Sequence, residues 1–100
     1  MPVSSSASSD GKTVTVTVAG RFDFNDHSGF REAYRNTDSS AQFILDMSTT
    51  DYMDSSALGM LLLLREHAGG DNAKITVSGC KAEIKKILTI ANFQKLFEIK

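Results

Sequence analysis

Asp51-Tyr52-Met53-Asp54-Ser55-Ser56-Ala57-Leu58-Gly59-Met60-Leu61 is the stretch that decides the fold. Two adjacent hydroxyls follow an aspartate, and a nearly unbroken apolar run begins directly after them. Upstream, Phe43-Ile44-Leu45-Asp46 reads as a short strand, so the serine pair falls where a strand has ended and a helix starts. The first N–H groups of a helix lack internal partners, and the helix dipole makes that end electropositive. A serine there can cap the helix, and a phosphoryl group added to it would meet the same donors. Such a position can carry a removable double negative charge without loss of the fold.

Outward from this point, strands and helices alternate. Thr13 to Ala19 sets threonine against valine and alanine with period two, a strand with one buried face, and Gly20 reads as its end. Asp10-Gly11 reads as a hairpin turn, which calls for a partner strand among the first residues. Asn25 or Asp26 is placed to cap a first helix reaching about Asn36, with Phe30, Ala33 and Tyr34 at helical spacing. Gln42 to Met47 forms the next strand, and Phe43-Ile44-Leu45 suggests burial on both of its faces. The helix after it spans about Ser55 to His67 and stops at Gly69-Gly70. Lys74 to Ser78 gives a strand, Lys81 to Ile90 a third helix, Asn92 a left-handed cap, and Leu96 to Ile99 a last short strand. This order implies a mixed α/β sheet of four to five strands with about three helices packed on it.

One hundred residues with 41% hydrophobic and 23% charged side chains suit one globular domain, here residues 10–100. Residues 1–9, rich in serine, read as a loosely ordered lead-in with a short edge strand possible near Val3. This start has neither the basic region nor the apolar core of a signal peptide. A net charge of −1 gives no footprint for nucleic acid. Ala57 to Leu64, the longest apolar run, is far too short to span a bilayer. Cys80 is the only cysteine, so no internal disulfide or multi-cysteine metal site can form, and a reducing cytoplasm is the expected home. Cys80 itself reads as a small buried or turn residue rather than a redox sensor or nucleophile, because no obvious base accompanies it.

Asp54-Ser55-Ser56-Ala57-Leu58-Gly59 resembles the D-S-[ST]-[GA]-L-G signature of the STAS domain family, specifically the bacterial anti-sigma factor antagonists. Gly20-Arg21-Phe22-Asp23 is similar to that family's G-x-[LF]-D after its long strand, and Ile44-Leu45-Asp46-Met47 to the strand before the signature. The likeness spans roughly Thr13 to Ile99. It implies a STAS-like sheet with the helices mainly on one face, and a switch that docks an anti-sigma factor or related regulator and releases it when phosphorylated. It further implies a partner that is often a serine kinase of the histidine-kinase-like ATPase type, and a metal-dependent serine phosphatase that reverses the mark. Family chains often continue into a further C-terminal helix, whereas this one ends at Lys100, so a partner surface built from that helix is not expected.

Pattern alone favours Ser55 as a plain helix cap; the resemblance assigns the phosphoacceptor to it, the hydroxyl directly after Asp54, with Ser56 the alternative. On a wheel of about 100° per residue, Met60, Leu61, Leu64 and Ala68 cluster with Ala57, and Leu63 and His67 lie beside them. Leu58 and Leu62 fall beside the charged side of Arg65 and Glu66, near the serines. They are either a docking patch or leucines covered by a loop or another helix. Asp23, Asp54, Ser55, Ser56, Leu58, Gly59 and Leu62 are the expected partner-binding set. A constitutive STAS docking subunit of a transporter or other assembly is the alternative. Asp23, Asp46, Asp51 and Asp54 raise a third reading, a magnesium-dependent phosphotransfer enzyme, against the ordinary use of aspartates as turn and helix caps. No phosphate-cradling glycine loop supports that reading, and His27 and His67 lack ligand spacing, so neither catalysis, a cofactor nor a metal is expected.

Overall fold

The alternation beginning at Thr13 builds β2 (Thr13–Phe22), whose register against parallel β3 (Gln42–Met53) sets Val14 and Val16 beside Phe43 and Leu45. The computed structural model describes residues 3–100; Met1 and Pro2 of the expected lead-in lie outside them. β1 (Val3–Ala7) pairs antiparallel with β2 across the Asp10-Gly11 turn, where the Asp10 carboxylate accepts from the Lys12 N–H. β4 (Ile75–Ser78) and β5 (Glu98–Ile99) add in parallel, giving one five-stranded mixed sheet in the order β1-β2-β3-β4-β5.

One face of this sheet carries Val14, Val16, Val18, Phe43, Leu45, Met47, Ile75 and Val77, all buried. Three helices close over that face. Phe30 and Tyr34 of α1 (His27–Tyr34), Ala57, Met60, Leu61 and Leu64 of α2 (Ser55–His67), and Ile84 and Leu88 of α3 (Ala82–Ile90) join the same core. Each fully buried large side chain contributes about 1.5–3 kcal/mol of transfer free energy, which is why these stripes fix the layer. The other face presents Thr13, Thr15, Thr17, Thr76 and Ser78, which are half-buried. Ile44 lies on that face, also half-buried, so β3 is covered on one side rather than both.

Two boundaries move from their expected places. β3 does not stop at Met47 but continues to Met53, because the end of β2 runs alongside it: Ala19 pairs with Thr49, Arg21 with Tyr52 and Phe22 with Met53. Gly20 (φ +73°) is where β2 becomes irregular rather than where it ends, and the buried Thr50 hydroxyl donates to the Val18 carbonyl at 2.7 Å beside that irregularity. Gly79 (φ +76°) lets the chain leaving β4 pass this ribbon, since a Cβ there would lie 2.9 Å from the Cβ of Ser48. The ribbon carries the β3–α2 junction beyond the rest of the sheet. α1 is also shorter than expected and ends at Tyr34. Of the two expected caps it is Asp26, not Asn25, that stands at its N-cap. The Asp26 carboxylate bonds no α1 N–H but accepts from the Asp23 N–H across a preceding 3-10 turn (Phe24–Asp26) that Asp23 caps.

Candidate functional site

Asp54 is the N-cap of α2, with an extended backbone, and its carboxylate accepts from the Ala57 N–H at 3.0 Å. The Ser56 hydroxyl donates to the same carboxylate oxygen at 2.6 Å. Ser56 is therefore engaged in holding the cap. Ser55, at the first helical position, is exposed, and among the described residues its hydroxyl takes no partner. The two neighbouring serines thus have different chemical situations: one closes the helix start, the other is free to react.

The Ser56 hydroxyl, with the N–H groups of Ala57, Ser56 and Phe24, holds the Asp54 carboxyl below its ordinary range against the opposing effect of burial. A carboxylate depressed in the folded state adds stability above its unfolded pKa and loses it as pH falls through the folded value. The cap is accordingly charged at neutral pH. Following the Asp54 side-chain carbon by NMR should give a higher midpoint in Ser56→Ala than in the wild-type protein. An unchanged midpoint would show that the Ser56 hydrogen bond does not hold the cap.

The same junction ties α2 to the turn after β2. The Asp54 N–H donates to the Phe22 carbonyl at 3.3 Å, and the Asp54 carboxylate interacts with the Phe24 N–H. Asp23 and Asp26 form a reciprocal capping box: Asp23 accepts from the Asn25 N–H at 3.0 Å, while Asp26 accepts from the Asp23 N–H at 3.1 Å. Arg21 pairs with Asp23 at 3.5 Å and lies 4.1 Å from the centre of the Tyr52 ring. Phe24, 69% exposed, stands on this turn with the His27 ring 6.0 Å away.

Along α2, Ser55, Leu58, Gly59 and Leu62 fall at i, i+3, i+4 and i+7, one stripe of the helix. Leu62 is 40% exposed, Gly59 is exposed with open space at its missing Cβ, and Leu58 is half-buried against the core. The candidate surface is therefore the Ser55–Leu62 stripe together with Asp23, Phe24, Tyr52 and Arg21. Phe24 and Tyr52 have no periodic signature, and only their place in polar surroundings could have marked them. Leu63, expected near the core side, is 49% exposed instead.

The four aspartates of the metal reading are not gathered. Asp46 accepts from the Ser48 N–H at 3.0 Å, Asp51 pairs with Lys81, Asp23 caps the 3-10 turn and Asp54 caps α2. Among the described residues no three His, Cys, Asp or Glu side chains stand together as a metal site. Burial pushes the half-buried Cys80 thiol up, away from the thiolate a nucleophile needs. His67 packs on the Tyr34 ring with Nε2 3.2 Å from the Thr37 carbonyl, and His27 is exposed. Among the described residues no helix is long and apolar enough to cross a membrane.

A family model described as "Mlab, STAS domain" matches residues 5–98. A STAS-domain containing protein of Pseudomonas aeruginosa is 48% identical over 100 residues, which is 99% of each chain. An anti-sigma factor antagonist from Mycobacterium paratuberculosis superposes with a TM-score of 0.75 at 14% identity, over 97% of this chain and 84% of that one. The Bacillus cell fate determinant SpoIIAA, solved in its phosphorylated form, gives a TM-score of 0.67 at 13% identity, over 98% and 90% of the two chains. At such identities these two structures speak to the shared fold.

Proposed function

Because the chain belongs to the STAS domain family, we propose that it is a protein-binding switch of the anti-sigma factor antagonist kind, set by one phosphate on Ser55. Unphosphorylated, it docks an anti-sigma factor or related regulator through the Ser55–Leu62 stripe and the adjoining Asp23, Phe24 and Tyr52. Phosphorylated, it lets that regulator go. The observation that carries this reading is the division of labour within the serine pair: Ser56 bonds the cap while Ser55 is exposed and free. The solved SpoIIAA with the same fold is itself a phosphorylated protein, which supports carrying the chemistry over.

A phosphate adds about −1.5 to −2 charges at neutral pH. On Ser55 it would stand at the exposed first position of α2, where the helix dipole favours it and the ionised Asp54 opposes it. The fold tolerates it there. Buried under a partner, the same charge loses its hydration without a counter-charge, a cost of several kcal/mol per ion. The kinase is a partner protein of the histidine-kinase-like ATPase type, a metal-dependent serine phosphatase resets the mark, and the exchange takes place in the cytoplasm. The domain itself is a passive substrate, with Asp23, Asp46, Asp51 and Asp54 each committed to a turn, a helix start or a lysine.

Incubation with magnesium and labelled ATP tests this. The pure domain should take no label alone, and should be labelled once a cognate kinase is added. Ser55→Ala should abolish that label and Ser56→Ala should retain it. Label without kinase would move the domain into the enzyme class, and label on Ser56 would reverse the assignment within the pair.

A further inference from the structure

Away from Ser55, an open groove of about 400 Å³ between α1 and α2 is lined by His27, Arg31, Tyr34, Arg35, Leu63 and His67. Its chemistry is one-sided. His27 and Arg31 of α1 and Arg35 at its C-cap repeat at i, i+4 and i+8, and no carboxylate is among the lining residues. Arg35 has its own Glu32 at 3.3 Å, Arg65 has Asp71 and Arg21 has Asp23. Arg31 has no carboxylate within ion-pair distance among the described residues, and it lies near enough to Tyr34 to act on its phenol. In a chain of net charge −1 this is a local excess of cation. The floor is apolar: Tyr34 is buried with its ring 5.1 Å from that of His67, and Leu63 is 49% exposed.

We propose that this groove is a second docking surface, which takes an acidic segment of a partner protein carrying one apolar side chain. A carboxylate pairs with the unpaired Arg31, whose planar guanidinium suits bidentate pairing, and a second can share Arg35 with Glu32. The apolar side chain covers Leu63 and the rim of Tyr34. Two arginines in a concave site are too few for a nucleic-acid backbone or an anionic membrane, which call for broad basic surfaces. Leu63 and His67 lie about 100° around α2 from the Ser55–Leu62 stripe. The two surfaces can therefore be occupied together, and a phosphate on Ser55 does not evict the acidic segment. The inference stands apart from the Ser55 reading.

The test is a titration of the isotope-labelled full chain with a short synthetic peptide of glutamate and leucine, followed amide by amide. Saturable shifts are expected at His27, Arg31, Tyr34, Leu63 and His67, weakening with added salt. Arg31→Glu, at an exposed position that keeps the helix, should raise Kd at least about tenfold, Leu63→Ser should raise it as well, and Ser55→Asp should leave it unchanged. Absence of saturable shifts would overturn the proposal. So would binding indifferent to Arg31→Glu, shifts centred on Phe24 and Leu62, or a response of these residues only to vesicles of anionic phospholipid.

Discussion

Ser55→Asp is expected to weaken binding to the regulator by at least about tenfold, about 1.4 kcal/mol, while the melting temperature moves little. The two halves of this result have separate causes. Ser55 is exposed at the first position of α2 and its hydroxyl holds nothing, so the folded state loses no bond when it is replaced. A carboxylate there meets favourable dipole and unfavourable Asp54 in similar measure, each a surface effect of about 0.3–1 kcal/mol. The bound state has no such compensation, since the charge is then enclosed by a partner. Ser55→Ala should bind without regard to kinase. Loss of fold in Ser55→Asp, read by circular dichroism, would show instead that Ser55 is part of the cap.

The largest effect on stability is expected two residues apart on one helix. Leu64 is fully buried, and Leu64→Glu places an unpaired carboxylate in the core at a cost of several kcal/mol, comparable to the whole stability of a small domain. That protein should be unfolded at room temperature. Leu62, 40% exposed on the Ser55 stripe, should accept glutamate within about 0.5 kcal/mol and lose docking alone. Circular dichroism and a binding titration on both variants separate the cases. Two equally unfolded proteins would mean that the Leu62 surface is core.

The contrast between these leucines was legible in the sequence, because a helix on a sheet needs one apolar stripe and α2 has leucines left over. The limits of α2 were legible for the same reason, with Asp54-Ser55-Ser56 at one end and Gly69-Gly70 after the other. The ribbon of β2 and β3 was not. Ser48, Thr49 and Asp51 are polar, and they are strand because the end of β2 lies beside them, a long-range cause that leaves no local period. Gly20 looked like a stop for a related reason: a glycine inside a strand marks an irregularity as readily as an end. Leu63 was misplaced by an ideal wheel that assumes close neighbours all along the helix, whereas Leu63 lines an open groove beside α1 and stays 49% exposed. Phe24 and Tyr52 became visible as site residues only once the Asp54 carboxylate and the Arg21 guanidinium were seen to reach their segments.

Calorimetric titration of the regulator that co-purifies with this protein, against the domain in two states verified by intact mass, bears most directly on the switch. The unphosphorylated domain should bind, and the domain carrying a single phosphate on Ser55 should bind at least about tenfold more weakly or not at all. Equal affinities in the two states would contradict the switch and make the domain a constitutive docking subunit.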